Sequence, residues 1–244
     1  MRSAGELQIA IETSSRRGSV AVGRGGETLA WHVLAADRTH TAELHPALAD
    51  LLASVQAQPQ DVGLICFSHG PGSFTGLRVA ATIARTWQSV TGAQVVAVPS
   101  LEAIARNALR MPDPPARLAV IVDARQGQVF GALFETATRS LRTVSAAARH
   151  DAAVWLPALP RPCAVLGDGC AVHGALLTAL GLLILPEELW LPDAREVLAL
   201  GHELAAAGRV CRPEQITPLY LRPPECEEVY DQRRAAARQR RQHP

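Results

Sequence analysis

The sequence predicts an α/β protein built from two halves, each a mixed sheet followed by helices. Three observations carry this expectation. Short apolar strands alternate with amphipathic stretches along most of the chain. The run Met111-Pro112-Asp113-Pro114-Pro115 interrupts that alternation near its middle. A second strand-then-helix series then begins, and 244 residues are enough for two lobes with real cores.

The first half, 1–110, starts with three short strands. Gln8 to Thr13 is biased apolar by Ile9 and Ile11, Ser19 to Val22 resumes after Arg16-Arg17-Gly18, and Thr28 to Leu34 follows Gly25-Gly26. Glycine-containing turns therefore join them as a meander. Thr41 to Val55 places Leu44, Leu48, Leu51, Leu52 and Val55 on one helix face, which Pro46 permits only near the first turn. A strand over 62–68, a glycine-rich corner, a helix over 76–90, a strand Gln94 to Val98 and a helix Leu101 to Leu109 with Ser100 as N-cap complete the order βββαβαβα. The second half, 111–225, holds strands at Leu118 to Val122, Gly127 to Phe134 and Leu141 to Ser145. A proline-rich connector over 157–162, a strand over 163–166 and helices near 170–180 and 194–207 follow. The two halves point to a duplicated fold, although their sequence identity is too weak to prove it. Beyond them, acidic residues from Glu225 to Asp231 give way to Arg233, Arg234, Arg238, Arg240 and Arg241. Such a run is expected to be a solvated, disordered tail over 226–244 rather than an RNA-contacting arm.

Composition narrows the function classes. A formal net charge of +1 argues for neither nucleic acid nor membrane. Every basic residue other than histidine is arginine, so Schiff-base chemistry and a phosphate-binding P-loop lysine are excluded. Five cysteines without a C-x-x-C pair point to a reducing, cytoplasmic setting. The first residues lack an apolar signal core, and Ala175 to Leu185 is too short to span a bilayer, so a soluble protein without membrane contact is expected.

The most informative stretch is His69-Gly70-Pro71-Gly72-Ser73-Phe74-Thr75-Gly76-Leu77-Arg78, between an apolar strand and an apolar helix. Gly70 to Gly76 is one residue too long for a Walker loop and Gly72 to Gly76 one too short, and the dinucleotide fingerprint fails at its last glycine. What remains is a tight turn whose Ser73 or Thr75 caps the helix. Gly76, Ala80 and Ala84 then recur at four-residue spacing, beside an apolar stripe of Val79, Ile83 and Trp87. That smooth stripe is either a partner's docking face or an internal contact.

Metal and acid–base readings are weaker. His40 and His45, five residues apart, do not share a helix face. Cys163, Cys170 and His173 near Asp168 belong to different elements and lack a fourth ligand. Glu12 and Asp123 stand at strand ends, where an acid either approaches a nucleotide's magnesium or bonds nearby backbone N–H groups.

Five segments resemble one family: Ile9 to Ser14, His69 to Arg78, Pro99 to Ala103, Val122 to Phe130 and Pro218 to Arg222. In order and over nearly the whole chain, they resemble the TsaB (YeaZ) family. The resemblance implies a two-lobed actin/Hsp70/sugar-kinase-like fold with ribonuclease-H-like halves. It implies a non-catalytic scaffold, acting with TsaD and the ATPase TsaE to transfer a threonylcarbamoyl group to the adenosine next to the anticodon of tRNAs reading ANN codons. It further implies a homodimer when alone, tRNA reached through the complex, and ATP and Mg used by the complex rather than required by this chain. No catalytic or metal-binding residue is expected. The implied partner interface is Gly70, Gly72, Ser73, Thr75, Gly76, Arg78, Ala80, Ile83, Ala84 and Trp87, and Glu12, Thr13 and Ser14 mark a vestigial nucleotide site. The chain departs from the family at Glu12, where Asp is usual, at Ala80, where Gly is common, and at Trp87. The alternative is an autonomous ATP-binding enzyme of the sugar-kinase-like superfamily. A metallopeptidase is disfavoured by the missing ligands.

Overall fold

The structure, a computed structural model, describes residues 5–35, 40–137 and 140–221; the charged tail and Cys226 lie outside them. The first part comprises β1 (Leu7–Glu12), β2 (Ser19–Arg24), β3 (Glu27–Val33), α1 (His40–Ser54), β4 (Val62–Gly70), α2 (Phe74–Thr91), β5 (Gln94–Pro99) and α3 (Ser100–Asn107). The second comprises β6 (Arg117–Asp123), β7 (Gln128–Ala137), β8 (Ser140–Asp151), α4 (Ala152–Trp155), β9 (Ala164–Leu166), α5 (Gly169–Ala179), β10 (Leu183–Ile184) and α6 (Ala194–Ala206).

The strands form two five-stranded sheets, ordered β3-β2-β1-β4-β5 and β10-β9-β6-β7-β8. In each sheet the first three strands pair antiparallel, and the last two run parallel to the first. Order and sense are the same in both, so the topology shows the duplication that sequence identity left open. Each half thus has the ribonuclease-H-like strand order that the sequence resemblance leads one to expect.

The apolar runs follow from burial on both sheet faces. On one face of the first sheet, Ile9, Ile11, Val20, Ile65 and Phe67 pack with residues of α1 and α2. On the other, Ala10, Ala21, Cys66 and Val98 pack under α6 through Val197 and Leu198. The α6 backbone comes close at Gly201, where a Cβ would lie 2.2 Å from the Cys66 sulfur. Burial pushes the Cys66 thiol up to about 12.

Two helices cross between the halves. α6, from the end of the described chain, covers the first sheet, whereas Leu101 and Ile104 of α3 join Leu118, Val120 and Phe134 in the second core. Arg106 ties the two helices together through Glu196 and Glu203, each at 3.0 Å. No helix among the described residues is long and apolar enough to cross a membrane.

Four local expectations need correction. Pro46 lies inside α1 rather than in its first turn, and the helix there forgoes one backbone bond. Ser100 does not cap α3, for which Pro99 is the N-cap; its hydroxyl instead accepts the Gly70 N–H at 3.2 Å. β8 continues six residues past Ser145, because β7 pairs with it through Gln128↔Asp151. The short α4 and β10 carry too few residues for a periodic signal.

Candidate functional site

The glycine corner packs directly on the end of β1. β4 runs into Gly70, whose φ of +126° is a conformation open to glycine, and the Gly70–Pro71 peptide is cis. Ser73 N–H donates to the Ser14 carbonyl at 2.7 Å, and the Thr13 hydroxyl donates to the Gly76 carbonyl at 2.7 Å. The Ser73 hydroxyl caps α2 by accepting the Gly76 N–H at 3.3 Å. A Cβ on Gly72 would lie 2.3 Å from the Ser14 carbonyl oxygen, and one on Gly76 1.8 Å from that of Thr13. Both glycines are therefore required by close backbone approach.

Glu12 sits beneath this contact with 0% exposure. Its Oε1 accepts the Ser14 N–H at 2.6 Å and the Ser14 hydroxyl at 2.7 Å, and the Ser68 hydroxyl donates to Oε2. Burial raises its pKa, while the hydrogen bonds from Ser68 and Ser14 oppose the rise. Of the three residues expected to mark a nucleotide site, Glu12 and Thr13 are thus engaged internally. Only Ser14 reaches open space.

The expected interface stripe also needs correction. Gly76, Ala80, Ile83 and Ala84 are buried against the protein's own sheet, and Gly70 is buried in the corner. Trp87 is half-buried and donates its indole N–H to the Pro59 carbonyl at 3.1 Å. Gly72 is partly buried, leaving Ser73, Thr75 and Arg78 as the exposed members of the set. Small residues on α2 fit the helix to the sheet. The exposed smooth stripe lies on the opposite side, at Thr75, Thr82, Thr86 and Ser89.

Residues 211–221 strap the corner and one flank of α2. Arg85 donates to the Ile216 carbonyl at 2.8 Å, and Leu219 N–H to the His69 carbonyl at 2.6 Å. Arg78 donates from Nε to the Tyr220 hydroxyl at 2.9 Å and lies 3.8 Å from the Phe74 ring centroid. Tyr220 itself packs on Phe74 with ring centroids 5.0 Å apart. The Pro218-to-Arg222 motif thus serves, through its described residues, to fasten the chain to the glycine corner.

Between the halves lies a cleft of about 630 Å³. Ser14, Ser15 and Arg16 wall it from the first half; Asp123, Arg125 and Asp168 wall it from the second. Phe74, Phe130 and Tyr220 supply aromatic surface. Asp168 accepts the Asp123 N–H at 3.1 Å, and Asp123 accepts the Arg125 N–H at 3.0 Å. Burial raises the Asp168 pKa, and the neighbouring Asp123 charge adds to the rise. Sequence reasoning singled out Asp123 as a strand-end acid but gave Arg16, Arg125, Asp168 and Tyr220 no place in a cleft. The duplication was the available signal: Asp123 ends β6 as Glu12 ends β1.

Among the described residues, no group of three or more His, Cys, Asp and Glu side chains is placed to hold a metal ion. Cys163 and Cys170 are buried free thiols, and burial pushes Cys170 up to about 12.

A family model described as TsaD, tRNA N6-adenosine threonylcarbamoyltransferase, matches residues 34–179. The tRNA threonylcarbamoyladenosine biosynthesis protein TsaB of Bacillus subtilis is 30% identical over 225 residues, covering 90% of this chain and 95% of that protein. Its namesake in Escherichia coli is 26% identical over 218 residues, covering 88% and 94%. The solved structure of YeaZ from Pseudomonas aeruginosa superposes with a TM-score of 0.75 at 26% identity, covering 88% of this chain and all of that one. With this likeness end to end, and with the glycine corner and duplicated sheets in place, the chain belongs to the TsaB family.

Proposed function

We propose that this chain is a non-catalytic cytoplasmic subunit in the formation of threonylcarbamoyladenosine on tRNA, and that it acts by holding a TsaD-type partner and, with it, a TsaE-type ATPase. The names carried by the relatives support the pathway. The observation that carries the scaffold reading is the state of Glu12. The acid at the end of the first strand is fully buried and committed to Ser14 and Ser68, so it is not presented to the cleft. The residues present do not fit a Mg-ATP site built on that acid, and no chemical step is assigned to a nucleotide in this chain.

The docking face follows from the helix geometry. Thr75, Thr82, Thr86 and Ser89 are short side chains on the exposed side of an 18-residue helix, which allows a second helix to approach closely. Arg78 and Arg85 flank that stripe and are already used to hold the strap. The same face would pair two copies when no partner is present.

Thr82→Arg combined with Thr86→Arg should lower co-purification with a TsaD-type partner by roughly tenfold or more, because two long charged side chains would stand in the contact. The unfolding free energy measured in urea should stay within about 0.5 kcal/mol of wild type, since both positions are exposed. Undiminished capture of the partner would refute this face. A second reading, an ATP-binding enzyme, is favoured by the interlobe cleft. Calorimetry on the isolated chain separates the two, for tight Mg-ATP binding with turnover would displace the scaffold reading.

A further inference from the structure

The charge on α2 decides what kind of surface its exposed face accepts. The helix runs 18 residues and carries two arginines and no acid. Arg78 and Arg85 are seven residues apart, so they stand roughly 10 Å apart along the axis and within roughly 20° of each other around it. Both are exposed, and both have neutral partners. Arg78 meets the Tyr220 hydroxyl and the Phe74 ring, and Arg85 meets the Ile216 carbonyl. Such contacts orient a guanidinium and leave its charge uncompensated. Among the described residues no carboxylate pairs with either arginine. Glu214, the acid of the strap beside them, lies 3.1 Å from Arg212 instead. Elsewhere the rule is the opposite: Arg106, Arg110, Arg117 and Arg195 each meet a carboxylate. The other flank of the face is apolar. Val79 and Val90 lie roughly 100–140° around the helix from the arginines, and Val90 is 80% exposed.

We propose that the partner element received by this face is a helix with acids two turns apart on one side, meeting Arg78 and Arg85, and apolar residues on the other, meeting Val79 and Val90. The same charge makes pairing of two copies the weaker alternative. This inference rests on the scaffold reading of α2 and adds what the partner's contact must carry. Symmetry supplies its second half. When two copies meet antiparallel through one face about a two-fold axis, each flank is set beside its own counterpart, so the arginines of both copies crowd one side. In a parallel pair the arginines face Val79 and Val90. Neither arrangement offers an acid from α2 to answer them. RNA fits the face less well, because two cations beside an apolar flank neutralise few phosphates.

Arg78→Gln combined with Arg85→Gln tests this in the full-length protein. Glutamine keeps an N–H donor for the Tyr220 hydroxyl and the Ile216 carbonyl but carries no charge. Affinity for a purified TsaD-type partner is measured by biolayer interferometry at about 50 mM and about 500 mM NaCl, where surface charges are weakly and strongly screened. Self-association of the isolated chain is measured by sedimentation equilibrium at the same two salts. Wild type should bind the partner roughly three- to tenfold more weakly at the higher salt. The double variant should bind roughly fivefold more weakly than wild type at the lower salt and lose most of the salt dependence. Self-association should respond in the opposite sense, tightening at high salt and in the double variant. Partner affinity indifferent to both salt and the variant would overturn the proposal, as would self-association that tightens when salt is lowered. Loss of total-tRNA binding by the isolated variant, equal to its loss of partner binding, would also overturn it and assign the arginines to RNA. The salt response of wild type needs no substitution, so it decides the matter even where the variant loosens the strap. Loss of capture in the Thr82→Arg, Thr86→Arg protein together with salt-indifferent binding by wild type would remove the acidic helix and leave the scaffold reading standing.

Discussion

Gly76→Ala is expected to abolish cooperative folding, or to lower stability by an amount comparable to the whole margin of a domain. The added Cβ would stand 1.8 Å from the Thr13 carbonyl oxygen and 2.9 Å from its carbon. Neither is a flexible side-chain end. Both are backbone at the exit of β1, held in place by the Thr13 hydroxyl on the Gly76 carbonyl and by Ser73 N–H on the Ser14 carbonyl. Overpacking that side chains can absorb costs about 1–3 kcal/mol. Here the backbone must shift, so the loss should be about 3 kcal/mol or more, against a typical total of about 5–15 kcal/mol. Alanine's better helix propensity returns only about 1 kcal/mol of this. Gly174→Ala is the matched control: it lies within α5 with nothing within 4 Å of the added carbon, and it should gain about 0.5–1 kcal/mol. Urea unfolding followed by circular dichroism reads both. A Gly76→Ala midpoint near wild type would mean that the corner does not contact β1 as described.

The same glycine shows what the sequence made legible and what it concealed. The strand–corner–helix unit was readable from apolar runs and punctuation by Gly, Pro and Ser, and the rejection of phosphate-loop spacings stands on residue counts alone. The direction in which the helix presents its faces was not readable. Small residues at Gly76, Ala80 and Ala84 signal that some backbone comes close, and they are silent on whether it belongs to the same chain or another; the near backbone is that of β1. Period analysis likewise found α6, but could not show that it covers the first sheet while α3 joins the second core, because periodicity carries no information on which apolar surfaces meet. The cleft was hidden for a related reason. Arg16, Arg125 and Asp168 are scattered polar residues in three turns, and only the stacking of two repeated sheets brings them together.

Glu12 yields the second large effect, and its sign depends on the replacement. Glu12→Ala removes the acceptor of the Ser14 N–H, the Ser14 hydroxyl and the Ser68 hydroxyl in a site of 0% exposure. Unsatisfied buried groups cost about 1–3 kcal/mol each, and the emptied volume adds to this, so a loss of about 3 kcal/mol or more is expected. Glu12→Gln keeps the shape: its oxygen accepts from Ser14 and its amide donates to the Ser68 oxygen. The two side chains then differ in charge, and pH separates them. Burial raises the folded-state pKa of Glu12 above its ordinary 4.5, with the hydrogen bonds opposing. A raised carboxyl pKa contributes stability that is fully present below the unfolded value and is lost as pH rises through the folded value, because the folded state must then bury a charge. Glutamine has no such loss. As pH rises from about 4.5 through the raised folded-state value, wild type should therefore lose stability relative to Glu12→Gln, whereas Glu12→Ala should remain the least stable of the three throughout. Denaturant midpoints at several pH values measure both differences. A gap between wild type and Glu12→Gln that stays constant with pH would show that the folded protein carries the Glu12 charge as readily as the unfolded chain does, and a tolerated Glu12→Ala would show that the acid at the end of β1 is not what joins the strand to the glycine corner.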